Sequence, residues 1–362
     1  MNNQQRHVPR QSGLTLIELM VGLALGVLLL FGVGLLFSQN KQSYLQNEQL
    51  ARLQEDARFA IEELSRDISM AGFLAEIIDS TVLSVGTSVG DQGTFESTAS
   101  AAVNCGPAGA GRNWFYDFST GLAEDSILAG DNVASGAAAQ ALFSCITPGA
   151  FQEGTDIIGI KRTSGVPSGV VNPPLDSPAP AGRVYIRENG VRGILFQSPN
   201  LPVAPGADAD RVVVAPFNEW EYTPRIYYVR NFANEADDGI PTLCRIRLRN
   251  DGAGGRPPAH MEECIAQGVE DMQLEFGLDT NEDGFANVYV TNPQPADLMR
   301  TVSVRIYLLM RTLNQDMGYR DNRTYSLSNR PAYTPADRFH RRIYASTVTV
   351  RNVNSNRLGP TL

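Results

Sequence analysis

Gly13-Leu14-Thr15-Leu16-Ile17-Glu18-Leu19 opens an apolar run that continues to Phe37 and holds Glu18 as its single charge. The run from Leu14 to Phe37 has 24 residues, and about 20 apolar residues rising 1.5 Å each cover the hydrocarbon core of a bilayer. A membrane-spanning helix over residues 14–37 is therefore expected. A carboxylate inside such a helix is costly unless a cation meets it, which makes Glu18 a candidate functional residue.

The residues before the run, MNNQQRHVPRQSG, are polar, carry Arg6 and Arg10, contain no acid and end in Gly13. They read as a leader peptide, residues 1–13. An ordinary secretory signal is cut after its apolar region, whereas the Gly13–Leu14 junction precedes it, so cleavage there leaves the hydrophobic segment on the mature chain. In this order the residues resemble the class III prepilin signal of type IV pilins and type II secretion pseudopilins. Gly13 stands at the cut, Leu14 becomes the N-terminus and Glu18 is its fifth residue; Leu14 replaces the more usual phenylalanine or methionine.

The resemblance implies processing by a prepilin peptidase, N-methylation at Leu14 and insertion at an inner-membrane assembly platform. An α-amino group freed on Leu14 is mostly protonated near neutral pH. When subunits stack with an axial offset, the Glu18 carboxylate of one meets the Leu14 ammonium of another, and each charge is neutralised where water cannot solvate it. Gly22 and Gly26, four apart, allow close approach of a neighbouring membrane helix; ordinary glycine enrichment in membrane spans is the competing reading.

Beyond Phe37 the polarity changes while the helical period persists in Leu53, Ala57, Ile61, Leu64, Ile68 and Ala71. Glu55, Arg58, Glu62, Glu63, Arg66 and Asp67 take the other faces, and Gly72 stands where a C-terminal cap belongs. Residues 38–72 are thus expected to continue the helix amphipathically. From Leu14 to Ala71 is 58 residues, or ~87 Å of uninterrupted helix, the ladle shape of a pilin.

The head, residues 73–362, reads as β-rich and as lying in the periplasm or outside the cell. Residues 82–150 are rich in Gly, Ala and Ser and are expected to form an elaborated loop insertion. Alternation strengthens in Ile157–Ile160, Val184–Ile186, Ile226–Val229, Cys244–Leu248, Thr301–Met310 and Ile343–Val350, predicting strands of a large antiparallel sheet against the helix. The fold class is therefore α+β and type IV pilin-like. Net charge is −9, and −11 once Arg6 and Arg10 leave with the leader, which argues against nucleic-acid binding. Thr155–Arg162, Tyr227–Asn231, Val269–Phe276 and His340–Val348 look like the PilW family of minor pilins. That second resemblance implies the major pilin, other minor pilins and a tip adhesin as partners. It also implies a single-pass inner-membrane location before assembly and the pilus tip or cell surface after it.

Cys105, Cys145, Cys244 and Cys264 all fall in the head and suit an oxidising compartment. Three pairings exist; sequence order favours Cys105 with Cys145 and Cys244 with Cys264, each adding about 3 to 4 kcal/mol in the chain-entropy model. A zinc site lacks C-x2-C spacing and has only His260 near Cys264 to help.

One stretch has calcium-loop spacing. Asp279, Asn281, Asp283 and Asn287 occupy positions 1, 3, 5 and 9, Gly284 position 6, and the Phe285 carbonyl position 7. Position 12 is Val290, so the bidentate glutamate is missing. The same Asp, Asn and Gly residues serve an Asx-rich turn joining two strands, and both readings stand. No P-loop, Gly-x-Ser-x-Gly elbow, His-Glu-x-x-His or dinucleotide fingerprint occurs, so assembly rather than catalysis is expected. The alternatives are a J-type pseudopilin of type II secretion and a membrane-anchored calcium-dependent adhesin.

Overall fold

The computed structural model describes residues 13, 15–77, 83–85, 105–106, 114–116, 118, 126–171, 183–197, 216–248 and 260–355. The leader residues 1–12, Leu14 and most of residues 86–125 lie outside them. The chain divides into two compact units, residues 1–51 and residues 52–362. Helix α1, Leu16–Ser69, contributes residues to both.

In the first unit, Leu16–Phe37 is 22 residues of helix, apolar and long enough to cross a membrane. Leucine is its commonest residue and loses little rotamer freedom in a helix. Its side chains are exposed among the described residues: Leu29 is 72% and Leu30 74% exposed.

The second unit begins with residues 52–69 of α1, where apolar residues at every third or fourth position make one buried stripe. Leu53, Ala57, Ala60, Leu64 and Ile68 are all buried. Ala60, not Ile61, holds the centre of the stripe; Ile61 packs at its margin. The helix ends at Ser69, and Gly72 follows with φ +77°, a left-handed conformation that favours glycine.

In chain order the strands are β1 (Leu83–Val85), β2 (Ile127–Val133), β3 (Thr155–Ile160), β4 (Gly169–Val171), β5 (Val184–Glu188), β6 (Gly193–Gln197) and β7 (Phe217–Glu221). They continue with β8 (Arg225–Arg230), β9 (Thr242–Leu248), β10 (His260–Gln267), β11 (Val269–Leu278), β12 (Val288–Val290), β13 (Thr301–Arg311) and β14 (Arg341–Thr349). Among the described residues they form three sheets rather than the single one expected, ordered β1-β6-β5-β7-β4, β10-β9-β8-β3-β2 and β12-β11-β13-β14. All pairings are antiparallel except β1 with β6.

The middle sheet explains why one layer does not suffice. Side chains alternate across a strand, so Ile158, Ile160, Tyr227 and Val229 join the stripe of α1, together with Met272, Leu274, Val304 and Ile306 of the third sheet. Ile157, Ile226, Tyr228 and Ile246 point the other way, into a second core with Ile186 and Leu195 of the first sheet. Trp114, Phe115, Phe118 and Phe143 fill that second core. At Gly159 a Cβ would stand 2.6 Å from the Phe143 ring and 2.8 Å from Trp114, so glycine is what lets these aromatics lie on the strand.

The stretch read as a loop insertion is thus more structured than its composition suggested. Its described part supplies β2, helix α2 (Gly136–Leu142), whose N-terminus Ser135 caps, and the buried aromatics around Trp114. The sequence ILAGDNV of β2 has little alternation because it borders its sheet and carries small residues, while α2 is mostly alanine.

Candidate functional site

At the N-terminal end of α1 the chain turns from Gly13 and Thr15 into helix at Leu16. The Thr15 N–H and the Thr15 hydroxyl both donate to Glu18 Oε2 at 2.9 Å, and the Glu18 N–H donates back to the Thr15 hydroxyl at 3.4 Å. Thr15 is therefore the N-cap, Glu18 the third residue of the helix, and the two form a reciprocal capping box. The negative charge also lies at the helix end where the macrodipole favours it. Among the described residues no donor reaches Oε1, and Glu18 is exposed. The Thr15-x-x-Glu18 spacing carries this signal in sequence, and a reading of Glu18 only as an ion-pair partner misses it. Leu14, expected to supply that partner, lies outside the described residues. A Cβ added at Gly22 or Gly26 would meet nothing within 4 Å among the described residues.

At the other end of α1, Asp67 faces inward instead of taking a solvent face. It is 2% exposed and accepts from Arg162 Nε at 2.8 Å and from the Tyr227 hydroxyl at 2.5 Å, with Arg225 Nε 3.8 Å away. One turn earlier Glu63 pairs with Arg245 at 2.6 Å. Burial, then the Asp67 charge and hydrogen bond, push the Tyr227 phenol well above its usual range, so it remains a donor. This node ties the helix to β8, β9 and the segment after β3.

The four cysteines form two disulfides, Cys105–Cys145 and Cys244–Cys264. The second joins directly opposed residues of β9 and β10. Glu262 lies beside Cys244 and Cys264, but both sulfurs are consumed by the bond, and a metal needs the free thiolate.

Asp279 to Asn287 is the connection of the β11–β12 hairpin. The Asp279 carboxylate accepts from the N–H groups of Glu282 at 2.6 Å, Asp283 at 3.2 Å and Gly284 at 2.8 Å. Against the cost of desolvation, these bonds hold its carboxyl below the usual range. The Asn281 amide donates to Asp283 at 2.9 Å, the Phe285 N–H to Asp283 at 2.8 Å, and the Thr280 N–H to the Asn287 side-chain oxygen at 2.9 Å. Gly284 has φ +85°. All five candidate positions thus shape a turn in which Asp279 already has three donors.

Residues 8–34 match the prokaryotic N-terminal methylation motif, a span that holds Gly13, Leu14 and Glu18. Residues 226–352 match the family of Type IV Pilus-assembly protein W. Both matches support a minor pilin of the PilW family. The PilW-matched residues run from β8 through β14 and contain the whole third sheet, the Cys244–Cys264 bond and the Asp279 turn. Thr155–Arg162, expected from the sequence to belong to the same likeness, falls outside the match. Comparison with curated proteins and with solved structures returned no match.

Proposed function

We propose that this PilW-type pilin primes pilus growth and stays at the tip in a complex with other minor pilins. The observation that carries the reading is Glu18 at the head of an exposed apolar helix, inside the methylation motif, with Oε1 unpaired among the described residues. Processing at Gly13 would place a Leu14 ammonium four residues before Glu18. The capping box then holds Oε2 and orients Oε1 toward solvent or a neighbouring subunit's ammonium. Size supports tip placement, since a head of this bulk is difficult to repeat along a slender shaft.

A strain carrying Glu18→Ala tests this, with sheared surface pilin, membrane-fraction protein and secreted-enzyme activity measured together. Loss of surface pili with normal membrane insertion is expected. Unchanged pili would overturn the role of Glu18, and failed secretion with intact pili would make the protein a type II pseudopilin.

For the Asp279 turn we propose calcium as a ligand that Asp279 would hold while keeping its backbone donors. The spacing of the Asp283 carboxylate, the Asn281 amide and the Phe285 carbonyl supports this reading. Calorimetric titration of the chain with CaCl2 should show binding that Asp279→Ala abolishes; binding of equal strength in that variant removes the site.

A further inference from the structure

The connection between β13 and β14, Thr312 to His340, encloses a cleft of about 480 Å³, within the roughly 300–1,000 Å³ usual for small-ligand pockets. Gln315, Met317, Tyr319, Arg320, Asp337 and Arg338 line it. Its acids are spent inward. Both Asp337 oxygens bond Arg341, each at 2.6 Å, while Asp316 accepts from the Gly318 N–H at 2.9 Å and lies 3.0 Å from His340 Nε2. Arg320 and Arg338 have no acid within ion-pair distance among the described residues; the Arg338 guanidinium instead meets Met317 Sδ at 3.0 Å. On a chain of net charge −9, two uncompensated guanidiniums in one concavity attract an anion.

The floor is held in place before any ligand arrives. Tyr319 stacks on His340 with ring centroids 3.8 Å apart, and its hydroxyl donates to buried Asp321 at 3.2 Å. The two walls are joined by the Asp316 N–H to the Arg338 carbonyl at 2.9 Å and by the Asp321 N–H to the Asp337 carbonyl at 2.8 Å. Guanidinium forks match the geometry of a carboxylate, and the Gln315 amide suits hydroxyl groups better than hydrocarbon.

We propose that this cleft binds a sugar acid, a hydroxyl-rich small molecule whose carboxylate is held between Arg320 and Arg338. The proposal is independent of how Glu18 acts in assembly. Met317, 74% exposed, is a reporter within the cleft. The full chain in detergent micelles, labelled with methyl-13C methionine, would be titrated with D-glucuronate, D-glucose and N-acetyl-L-glutamate. The Met317 methyl signal should move with glucuronate at a concentration at least tenfold lower than with either comparison compound. Arg320→Glu should raise that concentration at least tenfold with an unchanged circular-dichroism spectrum; should that variant misfold, Arg338→Gln decides by the same criterion. No response to glucuronate, or equal response to glucose, overturns the site. An equal response to N-acetylglutamate overturns the sugar assignment, and a folded variant with unaltered binding overturns the role of the arginines.

Discussion

Two stretches of α1 are both rich in apolar residues, yet Leu29 is 72% exposed in the first unit and Leu64 is fully buried in the second. The difference is one of pattern. Around Leu29 apolar residues cover every face, as in a helix meant for lipid or for other helices; around Leu64 they recur at three and four, with charges between, as in a helix laid on a sheet. The charges differ likewise. Glu18 is held locally through Oε2 by Thr15, whereas Asp67 depends on residues distant in sequence, from Arg162 to Tyr227.

If that contrast holds, the strongest effect on stability belongs to Asp67→Ala. It leaves Arg162 and Arg225 without their buried acid, and removing one partner of a buried pair costs about 3 to 5 kcal/mol; urea unfolding followed by tryptophan fluorescence reads it. A loss below about 1 kcal/mol would mean that the node is hydrated. Next comes Leu64→Ala, expected to cost about 2 to 5 kcal/mol through lost burial and the cavity left behind, read by the same unfolding curve.

A third effect sharpens the comparison through pH. Asp156 on β3 accepts from the N–H of Asn132 on β2 at 2.8 Å and of Leu274 on β11 at 2.7 Å, joining two sheets. Burial pushes its carboxyl up to about 8, against those two bonds. A raised carboxyl binds its proton more tightly in the folded chain, so its contribution to stability falls as pH rises from the unfolded value, near 4, to about 8. Urea midpoints should therefore decline across that window in the wild type, and Asp156→Asn should flatten the decline; parallel curves would refute it. Asp279 acts with the opposite sign and in another window, because a depressed carboxyl loses its stabilisation only as pH falls below the usual carboxylate range. Smallest of all is Leu29→Ala, which should change the unfolding free energy of the second unit by less than about 0.5 kcal/mol. A larger shift would show that the first unit's apolar surface supports the head.

Legibility in sequence follows the range of the interactions. The strands with strict alternation, such as Thr301–Arg311, stand where the pattern put them, since a half-buried strand needs only its own period-two signal. Trp114 and Phe143 gave no such signal, because neither belongs to a periodic pattern and both fill space over Gly159 on a strand separate from them in sequence. The cleft at Arg320 and Arg338 was equally invisible: neither arginine has a motif, and only the withdrawal of Asp337 to Arg341 leaves them uncompensated.

The sequence by itself determined the apolar helix, the leader ordering that points to cleavage at Gly13, the lone acid Glu18 and an α+β head, because each rests on composition or on spacing within a few residues. Only the tertiary structure decided that three sheets share two cores, that Asp67 is buried while Arg66 beside it is exposed, and that Asp279 closes a hairpin turn. Those outcomes depend on which distant side chains arrive to desolvate or to donate, and that information is spread over residues no local pattern connects.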